Sequence, residues 1–201
     1  MSKEFTKKYF YSIVLFFSIS VYSQSHASLQ DFDSKKMMIN KNAMIILGSW
    51  AVGNIIIGSI YNFRLNGETK YFHQFNAMWN VVNLGIASFG YFNAINSNPT
   101  NLSNVEIIKD FNSLQNFLLL NAGLDVAYIT AGLYLRERAR NSSKQDLFRG
   151  YGNSLILQGS FLLLFDVTLF LIHQNVANIN LYPHLETFLS NGAGIVIKIK
   201  L

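Results

Sequence analysis

The chain has 201 residues, of which 50% are hydrophobic and only 13% are charged. Soluble domains carry about 25% charged residues, so this composition argues against a soluble protein and favours one membrane domain. The net charge of +5 does not indicate nucleic acid as a partner, because the basic residues lie between apolar runs. The absence of cysteine excludes disulfides, thiolate catalysis and cysteine-ligated metals.

The N-terminus resembles an export signal. Lys3, Lys7 and Lys8 precede an apolar stretch over residues 9–21, and Ser23 offers a small residue for cleavage. We predict a signal peptide over residues 1–23 and an extracytoplasmic segment over residues 24–42. An uncleaved N-terminal anchor is the alternative.

Four apolar runs follow, at residues 43–61, 75–95, 117–135 and 155–172. Each is close to the roughly 20 residues that cross a bilayer as a helix. They predict a four-span membrane domain over residues 43–175, with the lipid bilayer as its main partner.

The connections between these runs differ in charge. The first and third connections are basic, whereas the second has Lys109 against Glu106 and Asp110; the basic residues are Arg64, Lys70, Arg136, Arg138, Arg140, Lys144 and Arg149. Positive loops stay in the cytoplasm. We therefore predict a multi-pass protein of the bacterial inner membrane, with its mature N-terminus outside the cytoplasm.

The C-terminal segment, residues 176–201, is predicted to be an extracytoplasmic tail. Its last residues, 195–201, alternate apolar and polar after Gly192 and Gly194, which predicts a short strand.

Each predicted span has one polar or small face at helical spacing, and these faces should turn towards one another because lipid cannot solvate them. The stripes are Trp50, Asn54, Gly58 and Tyr61; His73, Asn76, Asn80 and Asn83; Asn121, Asp125, Tyr128 and Gly132; and Tyr151, Gln158, Asp166 and His173.

Two aspartates lie near the middle of predicted spans, where insertion of a carboxyl group costs roughly 2.5–3.5 kcal/mol. We predict that Asn54, Asn83, Asp125 and Asp166 share one level of the bilayer. The candidate ligand-binding residues are Asp125, Asp166, Asn54, Asn83, Asn80, Asn121 and Gln158. The alternative is that these groups only hydrogen-bond one another and hold the helices together.

A second stripe, formed by Gly123, Ala127 and Ala131, has the spacing that permits close helix approach. We expect it to pack inside the bundle, and a homo-oligomer is the alternative.

Motifs for catalysis, phosphate binding or dinucleotide binding are absent, and the four histidines are dispersed. We therefore predict no catalytic residue, no metal site and no cofactor, and an enzyme acting on a lipid is the least favoured function.

Four segments resemble an uncharacterised family of four-helix membrane proteins from Bacteroidetes. They are LGSWAVGN at 47–54, FHQFNAMWN at 72–80, NAGLDVAY at 121–128 and GYGNSLILQG at 150–159, followed by Phe165 and Asp166. The resemblance covers roughly residues 39–173. It implies a topology and an inner-membrane location, and no activity.

The predicted fold is all-α, an antiparallel four-helix transmembrane bundle. Two functions are weighed most: a structural or assembly component, and a small carrier or sensor that binds a proton, a cation or a polar ligand at Asp125 and Asp166.

Overall fold

The computed structural model describes residues 29–96 and 102–185. Within them the chain forms four helices, α1 (Leu29–Arg64), α2 (Gly67–Asn96), α3 (Asn104–Ala139) and α4 (Gln145–Asn180), and no strand. The predicted all-α class and the four helices are therefore confirmed. The predicted signal peptide and the predicted C-terminal strand lie outside the described residues.

The helix ends follow local chemistry. Gly67, at the turn between α1 and α2, has a φ of 62°, a left-handed conformation that favours glycine. At the start of α3, Ser103 and Glu106 form a capping box, in which the Ser103 backbone N–H donates to the Glu106 carboxylate over 2.8 Å. Hydrogen bonds from the Ser103 backbone and side chain lower the pKa of Glu106.

The helices form two hairpins, α1 with α2 and α3 with α4, which pack together mainly through α2 against α4. The close approach of neighbouring helices depends on glycine. A Cβ on Gly150 would lie 2.5 Å from the Glu68 carbonyl oxygen, and one on Gly152 would lie 2.6 Å from the Gly132 carbonyl oxygen. Since α2 and α4 meet near their N-termini, both hairpin turns lie at the same end of the bundle.

Helices α2 and α3 make little contact with each other. Trp79 of α2 packs edge to face on Tyr128 of α3, with ring centroids 4.7 Å apart. Beyond this pair, towards the C-terminus of α2, the two helices are separated by a cleft.

The small-residue stripe on α3 does not pack inside the bundle as we expected. Gly123, Ala127 and Ala131 are exposed, and a Cβ added to Gly123 would have no neighbour within 4 Å. The approach of α3 to α4 instead uses Gly132, on the α3 face that carries Asp125, together with Gly152 and Gly159 of α4. A homo-oligomer through the exposed stripe stays a prediction.

The distribution of polarity is inverted relative to a soluble protein. Most members of the predicted inward faces are buried or half-buried: buried are Asn76, Asn80, Asn83, Asp125, Gln158, Asp166 and His173. Tyr61 is an exception, since it is exposed. Large apolar side chains are exposed on all four helices, among them Val52, Ile56, Val81, Phe89, Leu120, Val126, Leu164 and Leu171.

Three helices, α1, α3 and α4, are long and apolar enough to cross a membrane, and α2 is not among them. Three of the four predicted spans therefore lie in helices that could cross a membrane by length and composition. Each helix also extends beyond its predicted span: α1 begins at Leu29 and α3 at Asn104. At 1.5 Å per residue, a helix of 36 residues is about 54 Å long, well beyond a 30 Å hydrocarbon layer.

Candidate functional site

The centre of the bundle contains a closed ring of hydrogen bonds that joins three helices. Trp50 Nε1 donates to Gln158 Oε1 over 3.1 Å, and Gln158 Nε2 donates to Asn76 Oδ1. Asn76 Nδ2 then donates to Asn54 Oδ1 over 2.7 Å, and Asn54 Nδ2 donates to the Trp50 carbonyl oxygen over 2.8 Å. Because every member has partners within the ring, the ring needs no ligand to complete it.

Two further asparagines continue from this ring along α2. Asn80 Nδ2 donates to the Asn76 carbonyl oxygen over 2.8 Å, and Asn83 Nδ2 donates to Asn80 Oδ1 over 3.3 Å. Both side chains are buried. Asn83 stands at the end of this series, at the wall of the cleft between α2 and α3.

The two span aspartates meet across the α3–α4 contact. The carboxyl groups of Asp125 and Asp166 lie within hydrogen-bonding reach of each other. The backbones of the two residues are not at the same level. The Asp125 carbonyl lies next to Gly159 of α4, which precedes Asp166 by seven residues. Side chains lean towards the N-terminus of their helix, so on two antiparallel helices these two carboxyls lean towards each other. A hydrogen bond between two carboxyl groups requires that one of them carries a proton.

This pair lies at the wall of the cleft, which has a volume of about 590 Å³. That volume is in the range of sites for small molecules, roughly 300–1,000 Å³. Helices α2 and α3 form its sides, and residues of α1 and α4 form its floor. Most of the walls are apolar, and the amides of Asn83 and Asn121 are among the polar groups that line the cleft with the carboxyl pair.

Three cleft residues contain a buried polar atom without a hydrogen-bond partner: Asp33 (whose Oδ1 is ion-paired with Lys36), Trp79 and Asp125. Asp125 is 3% exposed, and its Oδ2 has no hydrogen-bond donor within reach other than a protonated Asp166. The indole Nε1 of Trp79 has no acceptor. Because a buried polar atom without a partner is costly, these atoms are the groups of the cleft that a ligand would satisfy.

The other end of the cleft has a buried ion pair that sequence reasoning missed. Lys36 Nζ lies 2.5 Å from Asp33 Oδ1, and both side chains are buried. Nearby on the same helix, Asn40 Oδ1 lies 2.8 Å from His173 Nε2 of α4. Residues 24–42 were predicted to be an extracytoplasmic segment, and no candidate site residue was named in them. The signal was available: the spacing of Phe32, Lys36, Ala43 and Leu47 continues the inward face of α1 towards its N-terminus.

The structure divides the seven candidate residues into two groups. Asp125, Asp166, Asn83 and Asn121 line the cleft, whereas Asn54, Asn80 and Gln158 each hydrogen-bond to Asn76. Asn54 does not lie at the level of Asn83, although the two were predicted to share one level of the bilayer. It bonds to Asn76, which lies seven residues, or about 10 Å along α2, from Asn83.

Within the part of the chain that the structure describes, no three His, Cys, Asp or Glu side chains form a group that could hold a metal ion. The oxygens of the two carboxyl groups and of the neighbouring amides are hydrogen-bond acceptors, which is the chemistry that a cation or a hydrogen-bond donor requires.

Comparison with known proteins gives a family and no function. The model of a family of unknown function (DUF6992) matches residues 46–167, more than half of the chain, and this segment includes both aspartates of the pair. No curated protein and no solved structure matches the chain.

Proposed function

The chain belongs to this family of unknown function (DUF6992), and we propose that it is a four-span inner-membrane protein that binds a small cation or hydrogen-bond donor. The ligand occupies the cleft at Asp125 and Asp166, and the protein acts as a carrier or a sensor for it.

The proposal includes α2 as a fourth span. Its mean hydropathy is lowered by Asn76, Asn80 and Asn83, but these three side chains are buried in the bundle. The exposed side of α2 is apolar and includes Met78, Val81, Val82, Ile86, Phe89 and Phe92. Lipid contacts the exposed side only, so α2 meets the bilayer with a surface as apolar as those of its neighbours.

Charge supports the proposed orientation. Both hairpin turns lie at one end of the bundle, and that end holds the basic residues Arg64, Lys70, Arg136, Arg138, Arg140, Lys144 and Arg149. The opposite end mixes lysines with Asp31, Asp33, Glu106 and Asp110. The positive-inside rule then places the turns in the cytoplasm and the cleft in the extracytoplasmic half of the membrane.

One observation carries the proposed binding activity: two buried carboxyl groups from different helices lie within hydrogen-bonding reach of each other at the wall of a cavity. Each aspartate costs roughly 2.5–3.5 kcal/mol to insert, whereas a hydrogen bond in a membrane bundle contributes on average about 0.6 kcal/mol. Mutual hydrogen bonding therefore does not offset the cost of the pair, and a bound ligand supplies a reason for it.

A structural or assembly role is the second candidate, and the amide ring favours it. Trp50, Asn54, Asn76 and Gln158 join α1, α2 and α4 without a missing partner. Such a ring holds helices together and needs no ligand. If the carboxyl pair, like the ring, only held helices together, then every buried polar group of the bundle would have a structural role.

The test is the thermal unfolding of the purified protein at pH 7, measured with increasing Na⁺ or propylammonium. We expect a cation to raise the unfolding temperature of the wild type. Asp125→Asn and Asp166→Asn keep the shape and the hydrogen bond but remove the charge, so these variants should fold and lose the response. Asp146→Asn, an exposed site on α4 outside the cleft, is the matched control and should respond as the wild type does.

The structural candidate predicts a different pattern. In that case Asp125→Asn would leave both the unfolding temperature and the cation response unchanged, and only Asp125→Leu, which cannot hydrogen-bond, would destabilise the bundle. That pattern would exclude binding at the carboxyl pair.

A further inference from the structure

The sides of the cleft face the bilayer rather than an aqueous channel. Ile86 and Phe89 of α2 and Phe117 and Leu124 of α3 line the cleft, and all four are 43–70% exposed. In a membrane such side chains contact lipid chains. The gap between α2 and α3 is therefore a lateral opening, through which a molecule dissolved in the bilayer reaches the carboxyl pair.

The charges along the cleft are unequal. Its lining includes four aspartates, Asp33, Asp110, Asp125 and Asp166, and one cationic residue, Lys36. Lys36 is already paired with Asp33. With one proton shared by Asp125 and Asp166, the remaining charge of the cleft is negative, which is complementary to a cationic group and repels a phosphate or a carboxylate.

The unpartnered Oδ2 of Asp125 gives the position of that cationic group. Oδ2 of Asp125 is buried, lacks a donor other than Asp166, and belongs to a residue of the cleft wall. An ammonium group has three N–H donors. It can therefore satisfy Asp125 Oδ2 and also reach neighbouring carboxyl or amide oxygens, such as those of Asp166 and Asn121.

We propose that the cleft binds a bilayer amphiphile with a primary amine head, whose ammonium group contacts Asp125 and Asp166 and whose hydrocarbon chain lies between α2 and α3. This inference rests on the proposed function and names its ligand class. A free inorganic cation would use the carboxyl pair but leave the apolar opening without a role. An amphiphile uses both, because its chain stays in contact with lipid while its head is desolvated against the carboxyls.

The experiment compares four probes in the full-length protein, reconstituted in phosphatidylcholine nanodiscs. Dodecylammonium has both features, dodecanol has the chain without the charge, dodecanoate has the opposite charge, and propylammonium has the head without the chain. We expect dodecylammonium to raise the unfolding temperature by several degrees at a mole fraction where the other three change it little. Asp125→Asn should abolish that rise.

Two isoleucines supply a matched pair of variants. Ile86 lines the cleft and is 52% exposed, whereas Ile57 is 50% exposed on α1 and lies outside it. Ile86→Phe narrows the opening and should reduce the dodecylammonium response, and Ile57→Phe should leave it unchanged. Helix content, measured by circular dichroism, shows that both variants are folded.

The outcomes separate this inference from the proposed function. If propylammonium acts as strongly as dodecylammonium, and Asp125→Asn abolishes both responses, the ligand is a small cation: the amphiphile is excluded and the proposed function stands. A response to dodecanol equal to that for dodecylammonium excludes recognition of the amine. If neither amine nor Na⁺ changes the unfolding temperature of the wild type, both proposals fail.

Discussion

Asn76 and Asp125 are both buried polar residues inside the bundle, but their hydrogen bonding differs. Asn76 uses its amide nitrogen towards Asn54 and its amide oxygen towards Gln158. Asp125 has one oxygen with no donor apart from Asp166. A residue with all its partners inside the protein stabilises the fold, whereas one with an unused acceptor at a cavity wall is available for a ligand.

The amide ring should therefore affect stability and leave ligand binding intact. Asn76→Ala removes two hydrogen bonds and leaves buried partners unpaired, so we expect it to lower the free energy of unfolding by about 1–3 kcal/mol. Asn112→Ala, at an exposed site on α3, should change it little. Thermal or denaturant unfolding measures both. Loss of the cation response in Asn76→Ala would show that the ring belongs to the binding site.

The faces of these residues could be predicted from the sequence, but their levels could not. Helical spacing alone places Asn76, Asn80 and Asn83 on one side of α2, and all three are buried. Level depends on the register of each hairpin, which the turn fixes. The turn between α1 and α2 is so short that Asn54 pairs with Asn76 rather than lying beside Asn83.

At the scale of the helix, the length of an apolar run and the length of the helix that contains it are set by different interactions. A run of apolar residues reports the part of a helix that faces lipid, so the predicted spans were shorter than the helices. The start of α3 is instead determined by a local interaction, the Ser103–Glu106 capping box. The buried pair Asp33–Lys36 was missed for the same reason, since it lies in the part of α1 that precedes the apolar run.

Two glycines of α1 test how closely this helix approaches α2. A Cβ on Gly58 would lie 2.7 Å from the His73 carbonyl oxygen, whereas one on Gly53 would meet nothing within 4 Å. We expect Gly58→Ala to destabilise the protein by about 1–3 kcal/mol, because the hairpin would have to separate. Gly53→Ala should stabilise it by up to about 1 kcal/mol through helix propensity.

Unfolding measurements on these two variants and the wild type show whether α1 and α2 are as closely packed at Gly58 as the structure has them. Equal effects of the two substitutions would mean that α1 and α2 are not packed as closely as the structure has them. Since the change in chemistry is the same at both positions, only the neighbourhood of the glycine can make the signs differ.

At the scale of the whole molecule, the order of helix packing creates the cleft. Both hairpins bring consecutive helices together, and α2 then packs on α4, which leaves α2 and α3 largely apart. Periodicity shows which face of each helix turns inward, but it does not show which helices become neighbours. The carboxyl pair could thus be suggested from the sequence, and the cleft between α2 and α3 at which it lies could not.

The number of spans also belongs to this scale, and it depends on α2. If α2 crosses the membrane, the turn before it and the turn after it lie on opposite sides. If it does not, both lie on the same side. The chain contains no cysteine, so single cysteines can be introduced as reporters without a background signal.

Four exposed positions make the test: Ser34, Asn66, Asn104 and Ser143. We expect a membrane-impermeant maleimide to label cysteines at 34 and 104 in spheroplasts, whose inner membrane is intact. Cysteines at 66 and 143 should react only after lysis, because the basic turns stay in the cytoplasm. Labelling of positions 66 and 104 from the same side would exclude α2 as a span. Labelling of 66 and 143 in unlysed spheroplasts, with 34 and 104 protected, would reverse the orientation and move the cleft to the cytoplasmic half of the bilayer.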